Sequence, residues 1–102
     1  MPRPDFKVEV RSEGTTVTVV PWGELDIATA DRLREVLHAQ EGPTAVVELD
    51  LSKLEFIDAS GLSVVAEEHE RAQRDGFDLD VIVGSGMARR LIELVGAPWD
   101  RH

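Results

Sequence analysis

The sequence contains no cysteine. Disulfides and thiolate metal sites are therefore excluded. Histidine is scarce: His38, His69 and His102 are the only three, and their spacing matches no metal-ligand pattern. No metal or cofactor is expected on these grounds. Basic residues are few, 11 against 20 acidic ones, and the net charge is -9. Such a chain is repelled by phosphate backbones and by anionic lipid surfaces, which argues against a nucleic-acid partner and against a membrane-surface one. No apolar run approaches the roughly 20 residues of a transmembrane helix. The opening Met1-Pro2-Arg3-Pro4-Asp5 has no apolar stretch behind it, so no signal peptide is expected. Internal repeats, low-complexity tracts and linkers are also missing. The expectation is a cytoplasmic protein without membrane insertion.

What is present suits one small domain. The chain has 102 residues, of which 42% are hydrophobic. A domain of this size buries roughly two thirds of the surface that its unfolded form exposes. Residues 1–5 read as a flexible N-terminus and residues 6–102 as a single domain.

From Phe6 onward, Val8 and Val10 alternate with Lys7, Glu9 and Arg11, the period of a half-buried strand. Glu13-Gly14 reads as a turn, and residues 15–20 as a second, antiparallel strand with Pro21 at its end or at an edge. Gly23-Glu24-Leu25-Asp26 leads into a helix capped by Asp26 or Thr29, with Ile27, Ala30, Leu33 and Leu37 as its apolar face and Gly42-Pro43 as its stop. Residues 45–51 are mostly apolar and read as a central strand covered on both faces. A second helix is expected from about Ser60 to Arg74, with Leu62, Val65, Ala66 and His69 inside and Glu67, Glu68, Glu70 and Arg71 outside. Asp75-Gly76 ends it, and residues 79–83 form another strand. Gly84-Ser85-Gly86 opens a third helix with Met87, Leu91, Leu94 and Val95 as its stripe and Gly96 as its C-cap. The order is β-β-α-β-α-β-α, which calls for a mixed sheet with helices packed on it.

One segment stands out as a carrier of function. Phe56-Ile57-Asp58-Ala59-Ser60-Gly61-Leu62 delivers the chain from the sheet into a helix through small residues. A phosphate placed there would meet unpaired N–H groups and the positive end of the helix dipole. Gly61 leaves room for another backbone. The simpler reading makes Ser60 an N-cap and Asp58 an acceptor for backbone amides, with nothing docking.

The chain resembles the STAS family, whose bacterial members include anti-sigma factor antagonists. The resemblance rests on Gly23-Glu24-Leu25-Asp26 after an early strand, on the segment ending Phe56-Ile57-Asp58-Ala59-Ser60-Gly61-Leu62, and on the late Met87-Ala88-Arg89-Arg90-Leu91-Ile92-Glu93-Leu94-Val95-Gly96. It covers about residues 6–99. It implies an α/β STAS fold, a mixed sheet of four or five strands with helices mainly on one face. It also implies a non-enzymatic switch: an antagonist that binds an anti-sigma factor of the serine-kinase type and so releases a sigma factor, and that a phosphatase resets. By motif position, Asp26, Asp58, Ala59, Ser60, Gly61 and Leu62 would form the partner-binding surface. The family's usual phosphoacceptor directly follows the aspartate, where this chain has Ala59. Two outcomes stay open: Ser60 takes over as the phosphorylation site, or the turn is never phosphorylated. The resemblance also admits a different role, an accessory subunit of an ABC-type lipid transporter ATPase or a signalling scaffold, using the same surface without phosphate.

Other features carry weaker signals. Asp26 and Asp58 could suggest acid/base catalysis, but no nucleophile, base or metal ligand joins them, and Asp26 serves equally well as a helix cap. Gly84-Ser85-Gly86-Met87-Ala88-Arg89 imitates the start of a dinucleotide-binding turn, yet Arg89 replaces the third glycine. It reads as a glycine-rich turn capped by Ser85, with Arg89 and Arg90 on a solvated face. His69 reads as a partly buried histidine, and Trp22 and Trp99 as packing residues. Family members usually continue with a further strand and helix, for which residues 97–102 leave room only for a short edge strand.

Overall fold

Alternating apolar and charged residues near the N-terminus form the strand their period predicts. The computed structural model describes residues 6–40, 46–84 and 86–95. Strand β1 (Lys7–Glu13) turns at Gly14, whose φ of 63° suits a residue without a side chain, into β2 (Thr16–Leu25). Helix α1 (Ala30–Gln40) leads to β3 (Val46–Asp50), then β4 (Leu54–Ile57), α2 (Ala59–Asp75), β5 (Asp78–Ile82) and α3 (Met87–Val95). The sheet has five strands in the order β1-β2-β3-β5, with β4 paired to β2 alongside that path. β1 and β2 are antiparallel, and the remaining pairings are parallel. A mixed sheet with three helices is therefore the architecture, as the alternation of strands and helices predicts. α1 and α2 pack on each other and on β2 and β5, while α3 packs on β4.

Two features of the sheet were not legible in sequence. β4 is an additional strand of only four residues, Leu-Glu-Phe-Ile, too short to show a period. β2 also runs on through Pro21 to Leu25 instead of stopping at the proline. Its right to do so is geometric. The Thr15 carbonyl accepts from the Val46 N–H at 3.0 Å, so Thr15, Val17, Val19 and Pro21 turn their backbone groups to that side of the strand. β3 pairs with Thr16 through Val19, and β4 takes over from Gly23 to Leu25. Pro21, which has no N–H to give, faces the interval between the two partners.

One face of the sheet is covered by the helices, and the other is largely open, with Val20 alone of its β2 residues fully buried. Val19, Leu25, Val47, Leu49, Leu79 and Val81 are buried and form one core with Leu33 and Leu37 of α1 and Val65 and Ala72 of α2. The alternate residues of β3, Val46, Glu48 and Asp50, are only half-buried. β3 is thus central between β2 and β5, but it is not covered on both faces as its apolar composition suggests. The cross-strand rows of the open face read Arg11, Thr18, Glu48, Asp80 and, beside it, Glu13, Thr16, Val46, Asp78. At the far end of this face the Lys7 and Lys53 ammonium groups lie over the Trp22 ring, 4.9 and 5.6 Å from its centroid.

The helices differ from their sequence-predicted faces by small rotations. The inner face of α2 is Gly61, Val64, Val65, Glu68 and Ala72, so Glu68 belongs inside rather than outside, at 4% exposure. In α3 Ile92 is buried, whereas Leu94 points outward at 83% exposure. Arg89 is half-buried and donates from Nε to the Gly84 carbonyl at 2.9 Å, so it closes the preceding turn rather than joining a solvated face. Gly76 ends α2 with φ of 79° and its N–H on the Ala72 carbonyl, as expected of a C-terminal glycine. The Gly42-Pro43 stop, the Ser85 and Gly96 caps, Trp99 and the expected edge strand lie outside the described residues.

Glu68 couples the two helices. Its Oε1 stands 2.6 Å from His38 Nε2 of α1 and 3.7 Å from Arg71 Nη1 of its own helix, without hydrogen-bond alignment. A buried carboxylate depends on its neighbours far more than an exposed one. We predict that His38→Ala lowers stability by about 1–3 kcal/mol in a urea titration. Glu68→Met, which keeps the volume and removes the charge, should leave stability within about 1 kcal/mol of the parent or raise it.

Candidate functional site

The end of β2 and the start of α2 meet at Leu25. The Leu25 carbonyl accepts from the Asp58 N–H at 3.2 Å. Gly61 packs so closely that a Cβ built on it would lie 2.6 Å from the Leu25 carbonyl oxygen and 2.9 Å from Ile57 Cγ1. Only glycine admits this approach, so the small residue noted in sequence serves an internal contact. We predict that Gly61→Ala destabilises the domain by about 2 kcal/mol, seen as a fall of about 10 °C in melting temperature.

Asp58 is the N-cap of α2: its Oδ1 accepts from the Gly61 N–H at 3.0 Å, and its own carbonyl takes the Leu62 N–H at 3.0 Å. Ser60 is therefore not the cap. Ala59 and Ser60 occupy the first two helical positions, Ala59 exposed and Ser60 half-buried, and Leu62 packs partly against the core. The motif position that carries no hydroxyl is thus the more open of the two. Replacement of Asp58 by Ala should cost about 1 kcal/mol, measurable by urea denaturation, because the cap bond is lost.

Across from this turn, Asp26 and Thr29 hold each other. Asp26 Oδ1 accepts from the N–H groups of Ala28 at 2.9 Å and Thr29 at 3.2 Å. Thr29 Oγ1 accepts from the Asp26 N–H at 3.0 Å and donates to the Glu24 carbonyl at 2.7 Å. The two expected capping residues act together, and the helix proper begins only at Ala30, which donates to the Asp26 carbonyl at 2.8 Å. This shift changes the role of Ile27. Sequence spacing puts it on the buried stripe of α1, but it lies ahead of the helix at 81% exposure. The locked loop holds a bare apolar side chain outward, and Ala28 beside it is exposed as well. Ile27 is the surface residue that sequence reading missed. An apolar residue directly before a helical period looks like the first member of that period.

The Asp26 and Asp58 carboxylates each carry main-chain hydrogen bonds, the work of caps. Among the described residues no group of three or more metal-ligating side chains comes together. Leu25 thus joins two turns, each held by its own side-chain to main-chain hydrogen bonds.

The family model of the STAS domain matches residues 7–98. The chain belongs to the STAS family. No protein of curated function matches its sequence. Among solved structures it is similar to an anti-sigma factor antagonist from Mycobacterium paratuberculosis, with 27% identity and a TM-score of 0.74, over 90% of this chain and 79% of that one. The antagonist SpoIIAA in its unphosphorylated form shares the fold, with 21% identity, a TM-score of 0.70, and coverage of 93% of this chain and 84% of that one. So does a portion of the murine anion transporter Slc26a9, with 18% identity and a TM-score of 0.68 over 82% of this STAS domain and 14% of the transporter. No helix among the described residues is long and apolar enough to cross a membrane.

Proposed function

We propose that this STAS domain is an anti-sigma factor antagonist that binds an anti-sigma factor of the serine-kinase type and so releases a sigma factor. The observation that carries the reading is the similarity to an antagonist at 27% identity along 90% of the chain, joined to a capped turn with Ala59 exposed at the motif position. Asp26, Asp58, Ala59, Ser60, Gly61 and Leu62 form or support that surface. Asp26, Asp58 and Gly61 set its shape, and Ala59 and Ser60 face the partner together with Ile27. The domain acts in the cytoplasm, as a binding protein.

Regulation falls to Ser60, the hydroxyl nearest the family's acceptor position. A phosphate there would add about −1.5 to −2 charge to the docking surface, enough to oppose an interface of modest size, and a phosphatase would restore binding. The exposed Ala59, which offers a kinase no hydroxyl, supports a second reading. In it the domain binds without phosphate control, as an antagonist that is always competent or as an accessory subunit of a transporter ATPase or a scaffold.

The test is titration calorimetry with a kinase-type anti-sigma factor of the same organism, followed by incubation with ATP and mass spectrometry. Ser60→Asp should weaken binding at least tenfold without lowering the melting temperature, since a negative charge in the first turn favours a helix. Unchanged affinity would remove Ser60 from the interface. Ala59→Ser should gain phosphate at position 59, and a variant that gains none counts against the motif alignment. Failure of any such anti-sigma factor to bind the parent chain would sink the antagonist reading.

A further inference from the structure

β5 has one neighbour. It pairs with β3, and among the described residues nothing pairs with its other edge. The Leu51 N–H donates to the Ile82 carbonyl at 2.8 Å, so Asp78, Asp80 and Ile82 turn their backbone groups toward β3. Leu79 and Val81 must then turn theirs to the free edge. Beside this edge runs an open groove of about 360 Å³, walled by His69, Ala72 and Gln73 of α2 and by Asp78, Leu79 and Asp80 of β5. On the sheet's open face the same edge is acidic. Asp78 and Asp80 are exposed, Glu48 lies opposite Asp80, and among the described residues no cation stands within ion-pair distance of these three.

We propose that the β5 edge receives an extended basic segment of another protein, added to the sheet as a further strand. Main-chain bonds to Leu79 and Val81 would supply attachment, and alternate side chains would supply selectivity. Lysine or arginine on one side of the segment would meet Asp78 and Asp80. Small residues on the other side would lie along the groove below α2. A second copy of this chain does not fit. Edge-to-edge pairing would set Asp78 and Asp80 of one copy against those of the other, and like charges directly opposite are destabilising. The Asp78 end of the edge lies by the C-terminal end of α2, about 25 Å along a 17-residue helix from the Asp58 turn, and β5 runs from there toward Leu51. The inference therefore stands independently of the reading given to that turn, and a partner here could be held while the turn is occupied.

The probe is a blocked eight-residue peptide alternating lysine and valine, added to the full-length protein labelled with nitrogen-15. Amide exchange is the readout, with sedimentation to give the mass. In the free monomer Leu79 and Val81 should exchange fast, and Asp80 and Ile82 slowly. Excess peptide should slow Leu79 and Val81 at least tenfold, and the double variant Asp78→Lys, Asp80→Lys should abolish that protection while keeping the slow exchange of Ile82. A peptide of the same composition with its lysines and valines in separate blocks should protect at least tenfold less. The proposal is overturned if millimolar peptide leaves both amides unchanged or if the block peptide protects them equally. It is also overturned if they are already slow in the free protein, as a monomer covered by its own chain or at twice the monomer mass.

Discussion

Strand β2 must satisfy one edge with two different neighbours. Seven of its ten residues, Thr16 to Trp22, pair with β1 along one side, but on the other side β3 serves only its first half and β4 only its end. A buried strand cannot leave these backbone groups unpaired without a cost comparable to several hydrogen bonds. The short link from β3 to β4 meets this need. Leu51 bonds to the Ile82 carbonyl, the Leu54 N–H returns to the Leu51 carbonyl at 3.2 Å, and four residues of β4 then lie beside the end of β2. Because β4 is laid there, α2 has to begin beside Leu25, and the rest of the site follows from that placement.

The site then depends on how closely the chain can approach Leu25. Gly61 permits the contact, Asp58 caps the helix that leaves it, and the Asp26–Thr29 pair stiffens the loop on the other side. The glycine and the acids are therefore conditions for the two turns, and their small or apolar neighbours Ile27 and Ala59 are left exposed. One loop and one helix start, each fixed by local hydrogen bonds, are enough to present Ile27 and Ala59 without support from a deep pocket.

Much of this was written in local sequence. The alternation after Phe6, the glycine at the first turn, the apolar run of β3 and the small-residue segment at Asp58 each specify their element through short-range physics. The parts that were not legible depend on partners far along the chain. Four residues have no measurable period, so β4 exists because β2 needs it. Glu68 looks like a surface residue by type, yet its helical position faces α1, where His38 meets it. Ile27 looks like core by type, yet the Asp26 cap delays the helix past it. Composition could not report the open face either, since Val46 and the acids of β3 share one strand. At Asp58 the residue types were recognised correctly, but which of two polar neighbours would cap the helix was decided by the geometry of Leu25.

Pro21 adds a constraint on errors. Its nitrogen faces the single interval where β2 has no parallel partner. A slip of β2 by two residues would keep every side chain on its proper face, so hydrophobic patterning alone would tolerate it. The same slip would carry the proline opposite a strand that requires an N–H, and a ladder bond would be lost. The proline thus penalises the one misalignment that burial does not detect. Replacing it with valine would set an unpaired N–H in that interval and widen the range of misfolded sheets open to the chain.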